Sequence, residues 1–419
     1  MKLTVLGAAK EVGRSAFLVN TQKTNILMDY GVLLKKEPEF PLHVKPKEID
    51  AIVISHAHLD HSGYSPSLFL TSSNIQVLGT SPTFDLSQLL IEDMLKISGF
   101  YLPFEEIDLI NMLKHSKNLE YRKPYTIKDV SINLYESGHV LGGATMILEN
   151  GGKRIFYTGD INTRGSKLLR PADLDFGEID LMIIESTYSQ AEQTPREQSE
   201  KDLVEFAYQI VENGGTLFIP AFSVERSQEI ACVFKHYNFP HRILMDGMAL
   251  KVNEIMNKYP EYLRDPELFD KAINEIEWIK GWNRRNKIVK EPGVIISPAG
   301  MLVGGSAVFY MRNIAESSKN GIALVSYQGE NTPGKLLLEK GIFKEKGQII
   351  KCQANVKRFD FSGHNSRHEL FEILDQIKGN PKVLTVHGDG ESCIKFAQEI
   401  KEKYGFDAVA PDLGDSFDI

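Results

Sequence analysis

Seven residues, Ser55-His56-Ala57-His58-Leu59-Asp60-His61, constrain this chain more than any others. They directly follow the apolar, β-rich run Ala51–Ser55, so the sequence predicts a strand that ends in a histidine-rich turn. A lone histidine on a strand is ordinarily a packed or surface residue; three histidines and an aspartate within six positions are not. Imidazole nitrogen and carboxylate oxygen are the donors that a borderline cation such as Zn²⁺ selects. If the turn is open, alternate residues of the His-x-His-x-Asp-His run converge on one point beyond the strand end.

At 419 residues the chain is long enough for two domains with full cores. With 42% hydrophobic and 25% charged residues it falls outside the disordered, fibrous and disulfide-stapled classes. The apolar run that begins at Met1 is too short for a signal segment and reads as a strand. No stretch approaches the ~20 apolar residues of a membrane span. Cys232, Cys352 and Cys393 are scattered without Cys-x-x-Cys spacing, as expected of buried thiols in a reducing cytoplasm. The net charge of −8 weighs mildly against a nucleic-acid partner, but a basic groove can sit on an acidic protein.

Along the chain the rhythm changes once. The first third is β-rich at Leu3–Leu6, Ala16–Asn20, Asn25–Asp29 and Ala51–Ser55. Helical spacing follows at Phe84–Lys96 and Ile107–Lys114. Strand patterns return at Ile132–Tyr135, Ala144–Leu148, Arg154–Tyr157 and Leu181–Glu185. From Arg196, helices and short apolar strands alternate, which predicts βαβ units and a parallel sheet. The segment Gly7–Ser15 imitates a phosphate-binding loop, but it has five intervening residues, Arg14 in place of lysine, and a strand after it. It is not read as one.

The His56–His61 run resembles the signature of the metallo-β-lactamase superfamily. Two further ligands should then follow, each at the end of its own strand. Gly138-His139 and Gly159-Asp160 stand in those places, and Asp29 matches an early aspartate that orients a ligand instead of binding metal. The second half resembles the β-CASP branch. Glu185-Ser186-Thr187 matches its acidic motif, Phe361-Ser362-Gly363-His364 its Phe-Ser-Ala-His motif, and Val386-His387-Gly388 its closing motif. Ile219–Arg226 and Ser297–Gly305 are also family-like. Three departures stand out: Gly363 for alanine, Asn365-Ser366 after the histidine, and Glu225 where a glycine usually precedes Arg226.

The resemblance implies an α/β architecture, an αββα metallo-β-lactamase sandwich with an inserted β-CASP domain. The expected segments are 1–190, 191–355 and a C-terminal return over 356–419. It implies His56, His58 and His139 as ligands of one ion, Asp60, His61 and His387 of another, and Asp160 as the bridge. Two Zn²⁺ are the expected cofactors, with Mn²⁺ the second candidate. His364 paired with Glu185 is the implied general acid; Asp29 and Asp60 complete the catalytic set.

The implied activity is hydrolysis of RNA phosphodiester bonds, endonucleolytic or 5′–3′ exonucleolytic, in RNA processing or 3′-end formation. The chain most resembles the nuclease subunit of the cleavage and polyadenylation specificity factor and its archaeal relatives, with the RNase J branch second. Its partners would be single-stranded RNA and either a homodimer mate or a processing complex, with no membrane. No KH-type extension precedes Met1, so RNA contact is expected from the two domains. Lys280–Lys287 mixes basic and aromatic residues as a single-strand groove would, and a solvated surface is the competing reading. A thioester or lactone hydrolase of the same fold would have no use for Glu185 or His364. A catalytically dead RNA-binding scaffold would have lost metal ligands.

Overall fold

Alternate residues of a strand face opposite sides of its sheet, and here both sides are apolar. Leu3, Val5, Phe17, Val19, Ile26, Met28 and Val53 join one buried cluster, while Leu27, Ile52 and Ile54 join another. A sheet with two buried faces has to be a middle layer. The computed structural model describes residues 1–419 except 36, 72, 73, 330 and 346. In it the chain forms two compact units. One comprises Met1–Gly165, Pro171–Glu192 and Gly363–Ile419; the other comprises Ser166–Arg170 and Gln193–Ser362.

The first unit holds two seven-stranded sheets. One runs in the order Ser416–Asp418, Lys2–Val5, Phe17–Asn20, Asn25–Met28, Ala51–Val53, Gln76–Gly79, Ser116–Asn118. The other runs Asp407–Val409, Lys382–Val386, Leu181–Glu185, Lys153–Tyr157, Ala144–Asn150, Val130–Glu136, Tyr125–Ile127. Ile132, Leu134, Met146, Leu148, Ile155, Ile183 and Leu384 pack against the inner face of the first sheet. The outer face of the first sheet is covered by Phe84, Ile91 and Met94 of helix Ser81–Ser98 and by Leu109 and Met112 of helix Glu106–Lys114. That of the second carries Leu370, Ile373, Phe396 and Ile400 from helices Arg367–Asp375 and Gly390–Tyr404. The result is the four-layer αββα sandwich. Each of these large side chains contributes roughly 1.5–3 kcal/mol by burial.

The second unit contains one six-stranded sheet, parallel throughout: Glu277–Trp278, Ile243–Met245, Gly293–Ser297, Thr216–Pro220, Gly321–Leu324, Asn355–Arg358. Thr216–Pro220 and Gly293–Ser297 are buried along their whole length, as central strands covered on both faces must be. Asn355–Arg358 pairs with Gly321–Leu324, so the chain stays in this unit through Ser362, seven residues beyond the 355 boundary. That edge strand is polar and exposed, and carries no burial pattern to read. No helix among the described residues is long and apolar enough to cross a membrane.

Candidate metal centre

The His56–His61 turn is shaped by backbone that crosses it closely. Tyr30 N donates to His61 O at 2.8 Å, Val32 N to Leu59 O at 2.9 Å, and Ser15 N to Asp60 O at 2.8 Å. A Cβ on Gly31 would lie 1.8 Å from Asp60 O, so only glycine lets this loop approach the helical turn Leu59–Ser62. The Gly7–Ser15 loop is part of the same brace: a Cβ on Gly7 would lie 1.7 Å from Arg14 O. Gly7 thus serves close backbone packing, and Gly13 a left-handed backbone (φ 120°).

Asp29 is wholly buried and accepts four hydrogen bonds. They come from Ser55 N (2.7 Å), Ser55 Oγ (2.7 Å), His61 Nδ1 (2.7 Å) and Tyr157 OH (2.9 Å). With Nδ1–H fixed on Asp29, His61 turns Nε2 inward, 3.3 Å from Asp160 Oδ1. The left-handed backbone at Asp29 (φ 57°) is one that Asp tolerates better than most residues. His139 is fixed likewise: its Nδ1 donates to Gly363 O at 2.8 Å, and its Nε2 lies 3.1 Å from His58 Nδ1.

Two groups of donors result. His56, His58, His139 and Asp160 each offer one ligand atom within 4.8 Å of the others, and so do Asp60, His61 and His387. Asp160 reaches both: Oδ2 lies 3.5 Å from His56 Nε2 and 3.5 Å from His139 Nε2, and Oδ1 lies 3.4 Å from His387 Nδ1. His387 Nε2 is 3.3 Å from Asp60 Oδ2. A third grouping, Asp160, Glu185 and His387, overlaps these.

Burial and neighbouring histidines push His56 and His139 well below the usual imidazole range, and burial lowers His58. These rings are therefore neutral and ready to ligate. Burial also opposes charge on His61 and His387, but the surrounding carboxylates win and raise both. His56 Nε2 and Asp160 Oδ1 are buried and make no hydrogen bond. Leaving such atoms unmatched costs about 1–3 kcal/mol each, so the donor set fits cations.

His364 stands beside this cluster. Its Nδ1 lies 2.8 Å from Glu185 Oε2 and its Nε2 3.9 Å from Asp160 Oδ2. Burial disfavours the charged ring, yet Glu185 and Asp160 outweigh that and raise its pKa to about 9. Glu185 is itself fixed by Ile161 N, which donates at 2.9 Å. The departures from the family pattern also find places. Gly363 supplies the carbonyl that holds His139; Asn365 Oδ1 accepts from Thr163 N and Oγ1; Ser366 caps helix Arg367–Asp375. Glu225 has φ 70°, a backbone that glycine adopts freely, and it is buried against Arg226 at 3.1 Å.

All the residues singled out in the sequence—His56, His58, Asp60, His61, His139, Asp160 and His387, with Asp29, Glu185 and His364—meet in this one unit. Sequence reasoning gave no site role to Tyr157 or Ser55, which donate to Asp29, nor to the Gly363 carbonyl. A tyrosine on an apolar strand and a backbone carbonyl carry no signal of their own.

Comparison with known proteins gives three successive family matches. Residues 18–188 match a metallo-beta-lactamase superfamily domain, 227–337 a Beta-Casp domain, and 349–411 a Zn-dependent metallo-hydrolase RNA specificity domain. The chain is 37% identical to RNase aCSPSF2 of Saccharolobus solfataricus, over 100% of this chain and 85% of that one. It is 35% identical to the probable RNase MJ4 of Methanocaldococcus jannaschii over 100% of both. It is also 35% identical to transcription termination factor FttA of Pyrococcus abyssi, over 98% of this chain and 70% of that one. A crystal structure of a protein of unknown function from Enterococcus faecalis V583 shares the fold (TM-score 0.60, 16% identity, 99% of both chains). With relatives this similar along its whole length, the chain belongs to the β-CASP branch of the metallo-β-lactamase superfamily.

Proposed function

We propose that this protein is a two-metal phosphodiesterase that hydrolyses single-stranded RNA in 3′-end formation or transcription termination. The observation that carries the proposal is the pairing of the two donor groups around Asp160 with an opposed, Glu185-paired His364. His56, His58 and His139 would hold one cation and Asp60, His61 and His387 the other, with Asp160 between them. Zn²⁺ is the favoured ion for this His/Asp set, and Mn²⁺ the second. Cations bound there would supply Lewis acidity at a phosphodiester oxygen and make water a better nucleophile.

The chain's own groups do the rest. Asp60, whose side chain is 30% exposed, faces the open side and can accept a hydrogen bond from the attacking water. As the P–O3′ bond breaks, His364 Nε2 donates its proton to the departing oxygen. Glu185 steadies the charged ring until then and compensates for its burial. Relatives named as ribonucleases and termination factors support RNA as the substrate, and the match to an RNA specificity domain points the same way. Three free cysteines suit a reducing cytoplasm.

The test is direct. Purified protein is assayed for metal content and for cleavage of end-labelled single-stranded RNA, before and after chelation. Cleavage lost on chelation and restored by Zn²⁺ or Mn²⁺ supports the proposal. Bound metal with hydrolysis of thioesters or lactones but not RNA would assign the chain to small-molecule chemistry. Bound RNA without cleavage, metals present, would make it a scaffold.

A further inference from the structure

The second unit has its own constellation at the carboxyl ends of three neighbouring parallel strands. Asp246 directly follows Ile243–Met245, Trp282 lies four residues past Glu277–Trp278, and helix Gly305–Ile314 follows the loop after Gly293–Ser297. This is the sheet edge where open α/β sheets bind ligands.

Asp246 is buried and accepts from Arg285 Nε (2.6 Å), Arg285 Nη2 (2.9 Å), Tyr310 OH (2.6 Å) and Gly247 N (2.6 Å). The guanidinium so fixed lies 4.5 Å from the centre of the Trp282 ring, and Phe309 meets that indole edge-on at 5.7 Å. Buried Asp246 and Tyr310 with half-buried Arg285 and Phe309 thus brace one indole, and that residue is 61% exposed. An exposed indole braced in this way offers a flat apolar face that a planar ring can cover.

What covers it is indicated by charge. Residues 280–290 carry Lys280, Arg284, Arg285, Lys287 and Lys290. Arg284 pairs with Glu277 and Arg285 with Asp246, whereas Lys287 and Lys290 are exposed and have no carboxylate within ion-pair distance among the described residues. Lys280, also exposed, lies 5.7 Å over the Trp278 ring. A braced aromatic face with cations a few residues further along the chain suits single-stranded nucleic acid: the ring stacks on a base and the cations track phosphates.

We infer that Trp282 is a base-stacking platform for single-stranded RNA, with Lys287 and Lys290 as phosphate contacts and Asp246 and Arg285 as positioning residues. The inference rests on the ribonuclease reading above for the identity of the strand, and on the Trp282 geometry for the contact itself. It separates binding energy, supplied in the second unit, from bond cleavage in the first.

The chain has two tryptophans, and Trp278 is half-buried with its indole N–H donated to Ile273 O at 3.0 Å. Fluorescence therefore carries a Trp282 contribution, read as the difference between wild type and Trp282→Ala. A phosphorothioate uridine 12-mer is titrated into the full-length protein, with affinity read by anisotropy. Expected are quenching of the wild-type emission, a roughly 5- to 100-fold loss of affinity in Trp282→Ala, and substantial rescue in Trp282→Phe. Lys287→Gln with Lys290→Gln should flatten the dependence of affinity on salt. Metal content per chain should be unchanged in every variant, because none of these residues belongs to the donor groups. Equal affinity of wild type and Trp282→Ala overturns the stacking site. Failure of the wild type to cleave RNA overturns the ribonuclease reading, while the binding measurement still decides the stacking site by itself.

Discussion

Asp29 and Asp246 invite comparison. Each is a buried carboxylate placed immediately after a strand that has a parallel neighbour, and each accepts four hydrogen bonds, one from a buried tyrosine hydroxyl. Asp29 spends its acceptors on His61 and so aims an imidazole nitrogen at Asp160. Asp246 spends its acceptors on Arg285 and so fixes a guanidinium against Trp282. The same device, a desolvated anion at a strand end, prepares a ligand for chemistry in one unit and a surface for binding in the other. Breaking the first should damage metal affinity and rate; breaking the second should damage affinity for the polymer.

Short of removing a ligand, the largest effect should come from neither aspartate but from the acid that the first region serves. His364→Ala is expected to keep its metals and bind RNA while kcat falls by roughly 10²–10⁴-fold, and a substrate with a better leaving group should recover much of the loss. Wild-type rates in this variant would remove His364 from the chemistry. Metal lost along with the rate would make it a ligand instead.

Next in size is Asp29→Ala, which strands His61 Nδ1–H, Tyr157 OH and the Ser55 donors in a dry site. A drop of about 10–100-fold in metal affinity is expected, with a lower melting temperature, measured by chelator competition and calorimetry. Unchanged metal affinity would show that His61 needs no orienting partner.

Glu185→Gln tests the electrostatics alone, since its amide oxygen can still accept from Ile161 N. The acid must be protonated to work, so kcat falls as pH rises through the His364 pKa. Cations bound beside it would hold that pKa below the value of about 9 that burial and the opposing carboxylates set between them. Removing the Glu185 charge lowers it further and moves the alkaline limb of the kcat profile to lower pH. A limb that stays put would mean that another group sets it.

The smallest effect falls on the second region. Asp246→Asn frees Arg285 and loosens the support of Trp282, so KM for RNA should rise several-fold with kcat, metal content and bis(p-nitrophenyl) phosphate hydrolysis unchanged. A fall in kcat on that base-free substrate would show that the two regions are not separable in this way.

The two regions were not equally legible in the sequence. The ligand-type residues of the first announce themselves because they are contiguous, as in His56–His61, or flanked by glycine at a strand end, as in His139 and Asp160. Asp29 was legible only through resemblance, since one aspartate after one strand has no signature, and its donor Tyr157 lies 128 positions away. In the second region Asp246, Arg285 and Tyr310 come from three elements 39 and 64 positions apart, and only the parallel sheet brings them together. The Lys280–Lys287 run showed its composition but not its form, a short helix in which Arg285 is already spoken for. Of the fold, apolar strands such as Leu181–Glu185 were plain, while Ser116–Asn118, Asn355–Arg358 and Ser416–Asp418 were not. These are short, polar edge strands whose pairing is dictated by neighbours rather than by their own pattern.

The central claim is that two donor groups hold two cations, with Asp160 shared. Metal content per chain, measured on wild type and on His387→Ala, addresses it most directly. Close to two ions in the wild type, falling toward one in His387→Ala with cleavage of RNA abolished, is the expected result. A single ion at saturation in a fully active wild type, or two ions retained in His387→Ala, would contradict it.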